Sequence, residues 1–228
     1  MEKVELEKRL KSIPLFANLK EGELREIAKI GIVKGYPAGA HVFFENEIGD
    51  VLYIVISGSI KIFRSSEEGR IITLAILREN DFFGEMAIID GGPHSATAKT
   101  LEDSNIMLIH KADFTHTIRK NPEIAEVLLV TLSRRLRGAD KQIEDLTFKG
   151  NYGKTASMLV TLSERYGVNT AEGTLIDMKL THQELADLVG VARETVTRIL
   201  NDFKKDGCIT VKSRSIIITN VNELKTWT

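Results

Sequence analysis

Two short stretches hold the side chains best able to recognise something polar. In LTHQELADLVGVARETVTRILNDF, residues 180–203, Arg193 and Arg198 lie on either side of Thr197 and follow or precede Glu194 by one and four positions. Each guanidinium can donate two hydrogen bonds to guanine O6 and N7, and the carboxylate can accept from cytosine N4. In FFGEMAIIDGGPHSATAKT, residues 82–100, a Gly-Glu pair opens a segment with Gly-Gly-Pro at its middle and small residues at its end, the pattern of a loop folded around a compact polar ligand. Yet Phe82 to Ala98 contain no Lys or Arg to neutralise an anion. Elsewhere there is no nucleophile-base arrangement, no metal-ligand spacing and no phosphate-cradling loop, so neither a catalytic nor a metal site is assigned. The single cysteine, Cys208, is too few for an internal disulfide, a cysteine-ligated zinc or an iron-sulfur cluster, and reads as a small buried hydrophobe. His41, His94, His110 and His116 leave haem open as a ligand class.

The first stretch has the local signals of two helices joined by a tight turn. Thr181 and Glu184 form a Thr-x-x-Glu capping box with Leu180 and Leu185 as its hydrophobic staple. Gly190 ends the first helix. In the second, Val196, Ile199, Leu200 and Phe203 fall at i, i+3, i+4 and i+7 and face inward, leaving Arg193, Glu194, Thr197, Arg198 and Asn201 on the outer surface. Such a helix-turn-helix puts the start of its second helix into the DNA major groove. ITV and SIIIT, around Lys212-Ser213-Arg214, read as a hairpin wing whose basic tip reaches phosphate or serves as a soluble turn. The DNA-contacting set is therefore Arg193, Glu194, Thr197 and Arg198, with Thr181, Lys212 and Arg214 at the backbone.

A chain of 228 residues suits one larger and one smaller globular unit. With 43% hydrophobic and 28% charged residues it has an ordinary soluble composition, and no apolar run is long enough to span a membrane. The start, MEKVELEKRL, lacks the uninterrupted apolar segment of a secretory signal, which places the protein in the cytoplasm. The pI near 6.5 does not advertise a nucleic-acid binder. Residues 149–228, however, carry 11 Lys+Arg against 9 Asp+Glu in a chain whose net charge is -1, so the basic signal is confined to the C-terminal part.

Residues 5–34 read as short helices interrupted at Ser12-Ile13-Pro14, with Leu24, Ile27, Ala28 and Ile32 at helical spacing. From Tyr36 come short β-rich runs (HVFF, VLYIVI, IKIF, IITLAIL, NIMLI) between turn signals, the texture of an antiparallel barrel or sandwich. In one of them Ile60 and Ile62 face one way and Lys61 the other. After Asn121-Pro122 a long helix runs to about Phe148, with a narrow seam at Ile124, Leu128, Leu132, Leu136, Ala139, Ile143 and Leu146. Such a seam outruns a small barrel and favours a symmetric dimer, with Leu128, Leu132, Leu136, Ala139, Ile143 and Leu146 at the interface. Lys149-Gly150-Asn151 and Gly153 mark a hinge. The expected division is thus 1–121 for a sensing barrel with its N-terminal helices, 122–149 for dimerisation helix and hinge, and 150–228 for the DNA-binding domain.

Taken together, Ser12-Ile13-Pro14-Leu15-Phe16, Gly49-Asp50, Ser57-Gly58, the FGEMAIIDGGPHSATA cassette, the long helix and Arg193-Glu194-Thr195-Val196 with Arg198 resemble the Crp/Fnr family of bacterial transcription regulators over essentially the whole chain. The resemblance implies an α+β fold: a cyclic-nucleotide-binding-like antiparallel β-barrel (jelly roll), a long dimerisation helix and a C-terminal winged helix-turn-helix. It also implies a homodimer on double-stranded DNA with inverted TGTGA-like half-sites, and RNA polymerase as a further partner. Ala192 departs from the Ser or Thr that usually caps the reading helix, a loss of about 1 kcal/mol. By the same resemblance the effector set is Gly84, Glu85, Met86, Ala87, His94, Ser95, Ala139 and Asp140. In relatives that bind cyclic nucleotides the Gly-Glu turn takes the phosphate and the Glu the ribose hydroxyl, while an Arg followed by Ser clamps the phosphate. Here His94 stands in place of that Arg, and Ala139-Asp140 replace the Thr-Ser that faces adenine. No cofactor is assigned, and cyclic AMP is disfavoured as effector. Three readings remain: another small molecule anchored by His94 and Glu85, a structural pocket without ligand, or a modified cyclic nucleotide held by backbone and Ser95.

Overall fold

The computed structural model describes residues 3–212 and 215–227. The chain divides into two compact units, one made of residues up to Gly69 with Leu74–Arg135, the other of Arg70–Thr73 with Leu136 onward.

The first unit begins with α1 (Lys3–Ser12), a 3-10 turn at Pro14–Phe16 and α2 (Glu21–Ile30). The expected helical run to residue 34 stops earlier. Gly31 has extended backbone and Ile32 opens β1 (Ile32–Tyr36), where it is exposed rather than part of the helix face. Then follow β2 (His41–Phe43), β3 (Val51–Ser57), β4 (Ser59–Ser65), β5 (Ile71–Arg78), β6 (Phe82–Phe83), α3 (Glu85–Asp90), β7 (Thr97–Thr100), β8 (Ser104–His110) and α4 (Lys111–Lys120). The strands form two four-stranded sheets, ordered β1-β8-β3-β6 and β2-β7-β4-β5, a jelly roll of two sheets rather than one closed barrel.

The run VLYIVI is apolar throughout because β3 is covered on both faces. Val51, Tyr53 and Val55 point between the sheets with Phe43, Phe83 and Ile106, while Leu52, Ile54 and Ile56 meet the helical layer of Leu10, Phe16 and Ile27. Burial of this kind removes about 25 cal/mol of unfavourable hydration for each Å² of apolar surface covered. The alternation in β4 is incomplete, since Lys61 is itself only 8% exposed and Ile62 is half-buried.

Helix α5 (Pro122–Phe148) is one continuous helix, and its apolar seam divides. Ile124 and Leu128 are buried in the core of the first unit and Leu132 packs against it, so Leu128 belongs to the monomer's own core rather than to an outer face. Leu136, Ile143 and Leu146 are exposed.

The second unit continues with α6 (Asn151–Tyr166), the hairpin β9 (Gly167–Thr170) and β10 (Gly173–Ile176), α7 (His182–Val189), α8 (Arg193–Lys205), β11 (Ile209–Lys212), β12 (Ser215–Ile218) and α9 (Val221–Lys225). Its sheet is ordered β11-β12-β10-β9. The last turns of α5 are bound to α6: Lys149 Nζ lies 2.6 Å from Asp145 Oδ1, and the Ser157 hydroxyl donates to Asp145. Gly153, expected at a hinge, is instead a packing glycine within α6, where a Cβ would come within 2.8 Å of the Trp227 carbonyl oxygen. Among the described residues no helix is long and apolar enough to cross a membrane.

Candidate DNA-reading surface and effector cassette

The reading helix is positioned by local chemistry followed by packing. Thr181 caps α7: its hydroxyl accepts from the Glu184 amide at 3.1 Å, and Glu184 Oε2 accepts from the Thr181 amide at 2.6 Å. At the other end Gly190 adopts φ 75°, a left-handed conformation strained for any other residue, and returns its N-H to Ala186 O at 2.8 Å. Helix α8 follows after two residues. Val196, Ile199, Leu200 and Phe203 are no more than 3% exposed, which leaves Arg193, Glu194, Arg198 and Asn201 exposed on one open face with Thr197 half-buried among them. Ala192 makes no side-chain cap. Among the described residues none of Arg193, Glu194 and Arg198 has an ion-pair partner, so two cations and a carboxylate stand uncommitted at the start of a helix.

Strands β11 and β12 pair antiparallel from Ile209↔Ile218 to Lys212↔Ser215, forming the expected wing. Arg214 lies outside the described residues. Lys212 is engaged, with Nζ at 2.5 and 2.7 Å from the two carboxylate oxygens of Glu172 on the β9–β10 turn.

In the cassette, Gly84 has φ 81°, and a Cβ there would meet Val51 O and the Tyr53 ring at 2.8 Å, so only glycine makes this turn into α3. Glu85 is 3% exposed, and its Oε1 accepts from Arg135 Nη1 at 2.7 Å. Arg135 also donates through Nη2 to Phe82 O at 2.5 Å, with its guanidinium 4.8 Å from the Phe82 ring centroid. His94 is buried, its ring stacked on Phe43 with centroids 3.6 Å apart. It packs so tightly under Gly49 that a Cβ at that glycine would lie 2.7 Å from His94 Cε1. Burial lowers its pKa, opposed by the nearby Glu47 and Asp50 carboxylates, so the surroundings disfavour the charged ring. The Ser95 hydroxyl donates to Met86 Sδ at 3.7 Å, and Ala87 is buried. Ala139 and Asp140 are exposed on α5. His41 stacks on Phe44, whereas His110 and His116 line a surface groove with Asp50, Lys111 and Arg119.

Residues 33–121 match the family model of the cyclic nucleotide-binding domain, and residues 153–227 that of the Crp-like helix-turn-helix domain. The chain is 38% identical over 189 residues to the CRP-like cAMP-activated global transcriptional regulator of Mycobacterium tuberculosis, covering 83% of this chain and 84% of that one. The chain belongs to the Crp/Fnr family of transcriptional regulators. The cyclic AMP receptor protein of Thermus thermophilus is 34% identical over 200 residues, 88% and 89% of the two chains. The structure of FixK2 from Bradyrhizobium japonicum superposes with a TM-score of 0.77 over 87% of this chain and 97% of that one, a likeness of fold at 21% identity.

As a Crp/Fnr regulator the chain is a DNA-binding protein, and its relatives are transcriptional regulators rather than enzymes. Three residues outside the expected set lie against the candidate site residues. Arg135 takes the carboxylate of Glu85, His182 lies 2.8 Å from the Thr197 hydroxyl, and Glu172 takes Lys212. Each acts on a partner 15 to 50 positions away, beyond any local pattern.

Proposed function

We propose that this Crp/Fnr regulator works as a homodimer joined along α5 and reads inverted TGTGA-like half-sites with Arg193, Glu194 and Arg198. The observation that carries the reading is the exposed Arg-Glu-Arg face of α8, without an ion pair among the described residues, above a buried apolar face. Arginine on guanine and glutamate on cytosine are the base contacts this face offers, and Lys212 falls to the phosphates, whereas the Thr181 hydroxyl and amide protons are both committed to Glu184. Dimerisation is supported by Leu129, Leu132, Leu136, Ala139, Ile143 and Leu146, which recur at alternating spacings of three and four. Leu129, Leu136 and Ile143 are 63–64% exposed, an apolar stripe that a second copy would cover. Leu129 thus takes the interfacial place expected for Leu128.

Two relatives are named for cyclic AMP, but this chain does not offer cyclic AMP the same anchors. One carboxylate oxygen of Glu85 is held by Arg135, and His94, whose pKa burial lowers, is packed on Phe43. An arginine clamp contributes charge-assisted hydrogen bonds of roughly 1.5–3 kcal/mol each, and a neutral stacked imidazole supplies none of them. The regulator therefore responds to an effector other than cyclic AMP or binds DNA unaided.

The test is a titration of ligand-stripped protein into a fluorescent inverted-repeat duplex, with and without cyclic AMP. Two chains per duplex, a steep salt dependence and indifference to cyclic AMP are expected. Binding that appears only with cyclic AMP would overturn the effector assignment. Equal affinity for scrambled duplexes would overturn the reading helix.

A further inference from the structure

The Thr197 hydroxyl is doubly engaged inside the protein. Its Oγ1 donates to the main-chain carbonyl of Arg193 at 3.0 Å, and Nδ1 of His182 lies 2.8 Å from the same oxygen. A threonine hydroxyl carries one proton. If that proton is on Arg193 O, Nδ1 of His182 carries hydrogen and donates to Oγ1; if it is on Nδ1, the Arg193 carbonyl goes without. Either way no proton remains for a base. Thr197 nevertheless lines the open face with Arg193, Glu194, Arg198 and Asn201. As a donor the hydroxyl is spent, and the part of the side chain with no partner inside the protein is its methyl. A single dihedral sets both branches of a threonine, so fixing Oγ1 also fixes Cγ2.

The major-groove feature that matches an outward methyl is the C5 methyl of thymine. Resting on the proposal that α8 reads base edges, the geometry points to Thr197 as an apolar reader of one thymine in each half-site. His182 is then a positioning residue that holds the methyl toward the groove from the first turn of α7. The charged residues that share this corner are Arg193, Glu194 and Arg198 of α8 and Glu184 of α7. Glu184 is bound to Thr181, which leaves the imidazole to Thr197.

The experiment starts from the palindrome recovered by selection from random duplexes and replaces each thymine of one half-site in turn by deoxyuridine, which removes only the C5 methyl. Wild-type protein should lose about 3- to 5-fold in affinity at one position, the equivalent of one buried methyl, and little at the others. Thr197→Val, which keeps the methyl, should retain that loss. Thr197→Ser, which keeps the hydroxyl and its bonds, should abolish it. His182→Ala, which leaves the bond to the Arg193 carbonyl as the remaining tie on Oγ1, should reduce it toward about 2-fold.

Thermal unfolding read in parallel separates recognition from mere packing, because Ser preserves the tie to His182 and Val removes it. Stability should therefore rank Ser above Val while thymine preference ranks Val above Ser. A Thr197→Ser protein with wild-type thymine preference, or a flat uracil scan in a protein whose specific binding still depends on Arg193, overturns this inference alone. Failure to select any palindrome overturns it together with the proposed function.

Discussion

Glu85 and Glu194 are both first-turn carboxylates on helices that follow a turn, and their surroundings are opposite. Glu85 is 3% exposed and bonded to Arg135, while Glu194 is exposed between two arginines that have no ion pair among the described residues. The same contrast extends to their neighbours. In the cassette, His94 is packed on Phe43 and the exposed Ser95 hydroxyl has a weak contact with Met86 Sδ; on α8, the Arg193 and Arg198 side chains have no hydrogen-bond or ion-pair partner among the described residues. A polar group already bonded inside a protein has less left to offer a ligand: Glu85 gives Oε1 to Arg135, so a ligand that needs both carboxylate oxygens must compete with a buried partner. Two of the cassette's buried side chains are thus engaged inside the protein, while the charged side chains of the α8 face have no ion pair among the described residues.

The largest effect should come from breaking the cassette's internal pair. Arg135→Gln leaves a buried carboxylate unpaired and should lower unfolding free energy by about 2–3 kcal/mol, toward the low end for buried pairs because Arg135 is 32% exposed. Adding Glu85→Gln to the same chain should restore most of it, as measured by urea midpoints. A loss under about 1 kcal/mol, typical of a surface pair, would mean that Glu85 is available to a ligand, and the contrast with Glu194 would fail. The complementary change on α8, Arg193→Ala, should weaken palindrome binding by about 1–3 kcal/mol and relax preference at one base. Its unfolding midpoint should stay within about 0.5 kcal/mol of wild type. The two arginines then divide cleanly: one supports stability, the other recognition.

The helix-turn-helix was legible in the sequence because its determinants are local. The capping box at Thr181, the glycine at 190 and the apolar phase of Val196, Ile199, Leu200 and Phe203 all lie within one 24-residue window. The cassette was legible as a motif but not as a structure. His94 could be seen to replace an arginine, yet its stacking on Phe43 depends on β2, which lies some fifty positions earlier. Local pattern also misplaced the first strand, since Ile32 continues the i, i+4 spacing of Ala28 while pairing with Leu108 at the far end of the unit. The seam of α5 gave the helix but not the split of its faces: helical spacing alone cannot say that Leu128 turns into the core while Leu129 stays exposed.

A smaller effect concerns His94 and the pH dependence of folding. Burial lowers its pKa in the native state relative to the unfolded chain, so below the unfolded value near 6.5 the unfolded state binds the proton more readily. The stability associated with the neutral ring is present above that value and is lost as pH falls toward the lowered native pKa. Urea midpoints of the wild type should therefore fall more steeply from pH 7 to 5 than those of His94→Gln. Parallel curves would mean that the ring is as hydrated as an exposed histidine, which the stack on Phe43 does not allow.

The smallest effect lies at the wing, where the contrast between the two regions is least sharp. Lys212 belongs to the DNA-binding unit but, like the cassette side chains, already has a partner, the Glu172 carboxylate at 2.5 and 2.7 Å. Unlike Glu85, both groups are more than half exposed, so their pairing is weak and a phosphate can compete for the lysine. Glu172→Gln should therefore raise affinity for any duplex by about 2-fold and steepen the dependence of log K on log salt by no more than about one unit, the contribution of a single phosphate contact. Base preference should not change, because a phosphate contact carries no sequence information. An unchanged salt slope would show that Lys212 stays off the backbone, and the division between inward-committed and outward-committed side chains would then pass through the wing rather than between the two units.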